Sequence, residues 1–309
     1  MTRLIRSGMT LLCTLALWQG EVFGWSVEAH RAIAIIATNR LSGTLTAARI
    51  SAILGGLTLE DIAVCPDQVR ELEAHEIQKL STPCATIFPN PPKGTEQWHF
   101  VNTPVKDANF TPTAADVNAA CKNVCAVVQI QHFLGVLAAS KPTDTGAQKI
   151  AEQQALSFVV HFIGDIHQPL HSADRNGDAG GNAEHVKFFN DSNVALHAIW
   201  DNQIVAKIQP TEDQLAADLT SEIATAAAEP PSQPMDWTLQ AYIPARDVAY
   251  KGIPPAPVAN KAPKGNKTQD AAIVATLGQP YQNAAAPVVR TQIARAGVRL
   301  ANALQANLH

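Results

Sequence analysis

The chain has 309 residues, 23 Lys and Arg against 27 Asp and Glu, and a formal net charge of −4. That balance excludes a protein that grips nucleic acid through a global basic field. A hydrophobic share of 46% excludes a disordered chain, and no apolar run reaches the 20 or so residues of a membrane span.

Residues 1–24 read as an export signal. Arg3 and Arg6 precede the apolar run Met9–Trp18, and Val22-Phe23-Gly24 ends on a small residue, which predicts cleavage after Gly24. Leu-Leu-Cys at 11–13 has no small residue before the cysteine and argues against a lipoprotein. Cleavage would remove Arg3, Arg6 and Glu21, leaving 21 basic and 26 acidic side chains, a net of −5. Cys13 leaves with the signal, and Cys65, Cys84, Cys121 and Cys125 remain. An even count in an exported chain predicts two disulfides with three possible connectivities. The pairings that close the shortest loops, Cys65–Cys84 and Cys121–Cys125, are favoured. No Cys-x-x-Cys pair supports a zinc ribbon.

Residues 25–309 read as one all-α domain. Apolar periodicity near 3.6 runs through Ser26–Leu41, Thr44–Leu54, Ala114–Ala139, Gly146–Ile166, Thr211–Ala228, Trp237–Tyr250 and Pro287–Asn307. Strand-like alternation is nearly absent. Two segments read as loops: Thr82–Pro112, with Pro83, Pro89, Pro91 and Pro92, and the proline- and lysine-rich Lys251–Asp270.

The chemistry concentrates at 161–171, His-Phe-Ile-Gly-Asp-Ile-His-Gln-Pro-Leu-His. His161 and Asp165 are four apart, so on a helix they share one face. Pro169 cannot continue that helix, and His171 is delivered just beyond it. His197 and Asp201 repeat the spacing in Leu-His-Ala-Ile-Trp-Asp. A single such pair is usually a surface hydrogen bond. Here Phe162, Ile163, Ile199 and Trp200 surround both pairs, and buried imidazoles and carboxylates need partners, for which a metal ion is well suited. Four further residues extend the set. Trp25 becomes the amino terminus after cleavage, so its amine and carbonyl oxygen could chelate, with His30 five residues on. Asp67 follows Cys65-Pro66, where a helix-capping carboxylate is the ordinary reading, and His99 sits in Trp-His-Phe-Val-Asn-Thr-Pro. His75, His132, His167, His185 and His309 read as histidines without ligand roles, lying on the surface or supporting the ligands from behind, with His167, two residues from Asp165, the best placed for support.

On these residues the chain resembles the S1/P1 nuclease family, secreted trinuclear-zinc enzymes whose fold is shared with zinc phospholipase C. The likeness runs from Trp25 to Pro280-Tyr281 and Val288–Ala294 in the last helix. It implies three zinc ions: one held by Asp67, His99, His161 and Asp165; a second by His171, His197 and Asp201; a third by Trp25, His30 and Asp165, which bridges. Three dications against three aspartates would give one cleft a charge of about +3 inside an acidic protein. The implied reaction is hydrolysis of phosphodiester bonds in single-stranded DNA and RNA to 5′-phosphorylated products, with 3′-nucleotides also cleaved. Metal-activated water attacks phosphorus and the third zinc steadies the leaving 3′ oxygen.

The resemblance also assigns residues that hold no metal. Phe100 matches a base-stacking aromatic. Asn102 stands where fungal and plant members carry an aspartate, and its amide both donates and accepts, which makes the base preference an open matter. Arg70 matches a basic residue near the phosphate. Asn182, in Gly180-Gly181-Asn182, matches an amide that bonds a phosphoryl oxygen. The family's Trp-Ala-Asp is Cys65-Pro66-Asp67 here, so a disulfide replaces aromatic packing. The protein is expected to be a periplasmic or extracellular monomer with no membrane anchor. Two alternatives stand beside this reading. A zinc phospholipase C would more often carry glutamate at Asp201. An exported zinc-binding protein without catalysis would not need Arg70 and Asn182.

Overall fold

A computed structural model describes residues 24–107, 109–257 and 271–308. The export-signal run up to Phe23, Cys13 within it, residues 258–270 of the second expected loop, and His309 lie outside the described residues.

The first helix, α1 (Val27–Leu41), starts because the Ser26 hydroxyl accepts the Ala29 N–H, and it stops at the Ser42-Gly43 turn. α2 (Leu45–Leu54) is capped by Thr44 and ends on Gly55, whose φ of 62° lies in the left-handed region. The short α3 (Leu59–Ile62) has a Thr58/Asp61 capping box. α4 (Cys65–Glu73) and α5 (Thr82–Ile87) each carry a proline in the first turn, where a missing N–H costs nothing. A 3-10 turn, Glu96–His99, follows, and then the two-residue strand β1 (Thr103–Pro104). The segment Thr82–Pro112 is therefore not all loop, because prolines at helix starts are compatible with helix.

The expected single helix Ala114–Ala139 is two, α6 (Ala114–Cys121) and α7 (Ala126–Ala139), bent by 86°. Lys122 and Asn123 between them both adopt left-handed φ, which interrupts the ladder although the apolar periodicity runs on. α8 (Gly146–Asp165) matches its prediction within a residue, and the 3-10 turn Pro169–His171 follows as the proline requires. Next come β2 (Ala173–Asp174), β3 (His185–Phe188), β4 (Asp191–Ala195) and a three-residue helix, α9 (Leu196–Ala198). α9 runs into a π-helical turn, Ile199–Gln203, and then α10 (Ile204–Ile208). The expected helix Thr211–Ala228 is broken at Leu219 into α11 (Glu212–Asp218) and α12 (Thr220–Ala227). α13 (Pro234–Pro244) continues as a π-helical turn, Ala245–Ala249. After β5 (Ile273–Leu277), α14 (Gln279–Asn307) begins well before its expected start, because Pro287 is accommodated inside it.

α8 is the central element. From Ala155 to Asp165 every residue is buried. Phe158 stacks on Phe133 at 4.5 Å and on Phe162 at 5.3 Å, with Trp98 and Phe88 edge-on. α1 packs along α14 so closely that a Cβ on Gly297 would lie 2.6 Å from Ile36 Cβ. Fully burying side chains of this size gains about 1.5–3 kcal/mol each, which offsets the desolvation of the polar residues that α1 and α8 also bury.

The strands are short and peripheral, so the all-α reading stands. β3 lies between β4, antiparallel, and β5, parallel. β1 and β2 pair in parallel through Thr103 and Ala173, which ties the chain after His99 to the chain after His171. Both favoured disulfides are present, Cys65–Cys84 and Cys121–Cys125. Among the described residues no single helix is long and apolar enough to cross a membrane; α6 and α7 pass by length and composition only as a bent pair.

Candidate metal centre

Five segments far apart in sequence bring their His and Asp side chains to one interior face of α8. His30, His99, His161, Asp165, His171, His197 and Asp201 are all buried, and Asp67 lies at the rim. The geometry divides them into three groups: Asp67, His99 and His161; His30, His161 and Asp165; and His171, His197 and Asp201.

The imidazoles are locked by carbonyls outside the cluster. His161 Nδ1 donates to the Ala63 carbonyl at 2.8 Å, His171 Nδ1 to that of His99 at 2.8 Å, and His197 Nδ1 to that of Gly180 at 2.7 Å. Each bond takes up Nδ1 and turns Nε2 inward, as second partners of metal-binding histidines do. His171 Nε2 and His197 Nε2 then face each other at 3.1 Å. Burial lowers both rings, His197 to about 3, so both are neutral near pH 7. Two lone pairs at that distance repel unless a cation lies between them. Donors sharing a tetrahedral zinc at 2.0–2.1 Å sit about 3.3 Å apart, so the spacing fits the ion. Asp201 Oδ2 is 3.3 Å from His197 Nε2 and has no hydrogen-bond partner among the described residues.

Around Asp165 the electrostatics differ. Its Oδ2 lies 2.9 Å from His99 Nδ1 and 3.2 Å from His161 Nε2, while Oδ1 lies 3.4 Å from His30 Nε2. One carboxylate thus faces two different groups with its two oxygens. Asp67 Oδ1 is 3.4 Å from His161 Nε2 and accepts from the Arg70 guanidinium at 2.8 Å. Burial disfavours a charged His161, but the carboxylates of Asp165 and Asp67 outweigh it and push the ring up to about 10. Burial likewise raises Asp67, and His161 with Arg70 overcomes this to hold it at about 2. Burial takes His99 down to about 4. The two carboxylates thus press positive charge onto His161, the demand that a cation bound there would meet. His30 has neither ring nitrogen hydrogen-bonded among the described residues.

The expected pairs are brought together, though the secondary structure around them is richer than their spacing implied. Asp67 sits in the first turn of a genuine helix, α4, which its neighbours Cys65 and Pro66 begin. His197 and Asp201 keep their common face across the junction of α9 and the π-helical turn. Trp25 is buried; its indole donates to the Gly164 carbonyl at 3.1 Å, and the Ser26 N–H donates to the Asp201 carbonyl at 2.9 Å. Gly24 lies so near the group of His30 and Asp165 that a Cβ there would be 2.6 Å from Asp165 Oδ1 and 3.2 Å from His30 Nε2. The expected phosphate and base contacts occupy the edge. Arg70 is buried beside Asp67, whereas Phe100 and Asn102 are half-buried neighbours of His99. Asn102 has a φ of 56°, a left-handed conformation that asparagine tolerates better than most. Asn182 is exposed, with its amide donating to the Ala179 carbonyl at 2.8 Å.

Three positions went unassigned in the sequence. Gln168 donates to Asp201 Oδ1 at 2.7 Å and accepts the Leu170 N–H, so it orients a carboxylate of the third group. Gly164 leaves room for His30, whose Nδ1 would lie 2.8 Å from a Cβ there. A glycine inside so apolar a helix costs about 1 kcal/mol and is itself a signal of close approach. Gly180, at φ 65° with the Leu170 carbonyl 2.4 Å from where a Cβ would stand, can only be glycine, and its carbonyl aims His197. His167 holds no site role. It is wholly buried, donates from Nδ1 to the Ile163 carbonyl and accepts from Arg299 at 2.9 Å, tying the end of α8 to α14. The expectation that His167 supports the site ligands from behind is therefore corrected: the helix turns it away from the cluster into the packed interior, where it bonds the Ile163 carbonyl and Arg299.

A family model described as S1/P1 nuclease matches residues 25–309. Endonuclease 2 of Arabidopsis thaliana is 26% identical over 310 residues, covering 92% of this chain and 90% of that protein. Nuclease S1 of Aspergillus oryzae is 30% identical over 195 residues, 62% of this chain and 58% of that protein. Nuclease P1 of Penicillium citrinum is 26% identical over 190 residues, with 60% and 59% covered.

Proposed function

The chain belongs to the S1/P1 nuclease family, and on that premise we propose that it is a zinc-dependent endonuclease and 3′-nucleotidase. It hydrolyses phosphodiester bonds of single-stranded DNA and RNA to 5′-phosphorylated products. The observation that carries the zinc is the pair of neutral imidazoles, His171 and His197, aiming lone pairs at each other across 3.1 Å.

Three ions are assigned to the cluster: one to Asp67, His99, His161 and Asp165, one to His171, His197 and Asp201, and one to His30, Asp165 and the Trp25 amine and carbonyl. Zinc bound there would supply Lewis acidity, lower the pKa of water towards neutrality and neutralise the leaving 3′ oxygen. The protein's own groups prepare that chemistry. Uptake of a cation at His161 expels its proton, so zinc affinity falls as pH drops. Arg70 keeps a buried positive charge at the rim beside Asp67, where a phosphate would approach. Asn182 Nδ2 spends one hydrogen on Ala179 and has a second for a phosphoryl oxygen. Phe100 offers a ring face to an unstacked base, which favours single strands.

One chain supplies the whole donor set, so a monomer suffices. Export belongs to the same reading, since the proposed Trp25 amine would exist only after cleavage, and two disulfides, which persist in an oxidising compartment, support it. The direct test assays the processed protein, with and without a chelator, on single-stranded DNA, RNA, 3′-AMP and phosphatidylcholine. Chelator-sensitive hydrolysis of the first three is expected. Turnover of phosphatidylcholine alone would reassign the site to a phospholipase, and zinc uptake with no turnover would make it a binding protein.

Base recognition is tested separately. Phe100→Ala is expected to raise KM for 3′-mononucleotides by the 1–3 kcal/mol that a lost stack costs, about 5- to 150-fold. Asn102→Asp is expected to redistribute rates among the four bases with zinc content intact, because a carboxylate accepts hydrogen bonds but cannot donate. Identical relative rates on the four 3′-mononucleotides would remove Asn102 from the base pocket.

A further inference from the structure

We propose that the Cys121–Cys125 disulfide is a positioning element for the base-contacting segment Phe100–Asn102, setting how tightly nucleotide is held without acting on metal uptake. The inference rests on the reading that Phe100 and Asn102 meet the base.

Phe100 is extended, and the chain alternates there, with Phe100 and Asn102 half-exposed and Val101 only 2% exposed between them. Val101 does not join the main core. It belongs to a second, small cluster with Val117, Cys121, Cys125 and Val127, so the disulfide forms part of the floor on which the segment lies. The residue after the bridge adds a direct tie, since the Ala126 N–H donates to the Phe100 carbonyl at 3.4 Å. On its other side the segment is fixed to the metal centre: the Val101 N–H donates to the His171 carbonyl at 2.8 Å, and Thr103 pairs with Ala173. Phe100–Asn102 is thus held between the His171 turn and the disulfide turn.

That second turn has two backbone bonds of its own, the Lys122 N–H to the Asn118 carbonyl at 3.3 Å and the Val124 N–H to the Cys121 carbonyl at 3.1 Å, set against a strained backbone. Lys122 and Asn123 lie at φ 50° and 63°, two successive residues without glycine's freedom in the left-handed region, where the chain swings through 86°. Strained backbone of this kind persists only when its surroundings over-determine it. The bridge spans this turn and joins the last residue of α6 to the residue that starts α7. Without it only those two backbone bonds oppose relaxation of the turn, the floor under Val101 loosens, and Asn102, itself left-handed, is less constrained on that side. The metal ligands are not part of this floor. The His99 ring is bonded to Asp165 of α8, His171 lies in the Pro169 turn with its ring bonded to the His99 carbonyl, and the Asp67 helix is tied by the other disulfide, Cys65–Cys84.

The experiment compares wild type with Cys121→Ala/Cys125→Ala, measuring zinc per chain, kcat and KM on the four 3′-mononucleotides. KM is expected to rise about tenfold, part of what removal of the stacking ring gives, and the spread of rates among the bases to narrow. Zinc content and kcat stay at wild-type values. Val117→Ala, which keeps the bridge and thins the same floor, is expected to raise KM about threefold, within the range that small displacements of positioning groups produce. Unchanged KM and base ratios in a folded double variant, or a fall in its zinc content, would overturn the proposal. Should the double variant not fold, unchanged KM in Val117→Ala does the same. Phe100→Ala in the same assay separates the two readings. If it leaves KM unchanged, the base assignment fails; if it raises KM while both floor variants do not, only the role of the disulfide fails.

Discussion

Asp165→Asn is expected to reduce hydrolysis by well over 100-fold and to lower the zinc content of the purified protein. Asp165 Oδ2 faces His99 and His161 and Oδ1 faces His30, so one substitution touches two metal groups. Asparagine keeps the shape but exchanges one oxygen for an NH2, which turns hydrogens towards inward-facing ring nitrogens and removes a negative charge from the cluster. Loss of an outer hydrogen-bond partner of a metal ligand typically costs 10–100-fold in affinity or activity, and loss of a shared ligand should exceed that. His161 supplies an independent readout. With the Asp165 charge gone, its ring pKa in metal-free protein must fall from its raised position, which NMR titration would follow. A variant with wild-type zinc and wild-type rate would disprove the bridging role.

The other large effect concerns the residue before Trp25. A protein that begins one residue early, as Met-Trp25, is expected to fold, to lose one zinc per chain and to lose most of its turnover. The Trp25 nitrogen is then an amide, which neither deprotonates nor offers a lone pair as an amine does. There is a steric reason as well. Gly24 lies against His30 and Asp165, and any side chain in its place would press on Asp165 Oδ1 and His30 Nε2. The remaining contacts of Trp25, its indole bond to Gly164 and its burial, are unaffected by the extra residue, which is why the fold should survive. The leaving 3′ oxygen would depart without its neutralising charge, a loss of several kcal/mol in the transition state. Zinc per chain and rate, measured on the processed and extended proteins, decide the matter; equal values would remove Trp25 from the site and the third ion with it.

The residues that cluster beside α8 are legible in the sequence because two pairs among them have helix spacing and sit among apolar neighbours. His161 and Asp165 needed only the i, i+4 rule and the proline that ends their helix. The cysteine pairings followed from loop length. Less was legible where two local rules competed. Periodicity carried the expected helix from Ala114 to Ala139 straight through the turn at Lys122, since apolar spacing does not register two left-handed residues. Prolines made Thr82–Pro112 read as loop, although a proline in a helix's first turn permits α5.

The amino-acid sequence by itself determined which side chains could bind a cation and that most belong to buried helices. Only the tertiary structure decided how those side chains are aimed. The ring orientations of His161, His171 and His197 depend on carbonyls of Ala63, His99 and Gly180, which are distant in the chain and arrive through packing of α3, the Glu96–His99 turn and the Gly180-Gly181 turn. The same holds for the division of Asp165 between two groups, the Gln168 bond to Asp201 and the disulfide floor under Val101. Periodicity and spacing report a residue's neighbours within a few turns of its own element. The direction of a lone pair is set by whichever backbone folds against it, and that is a property of the assembled core.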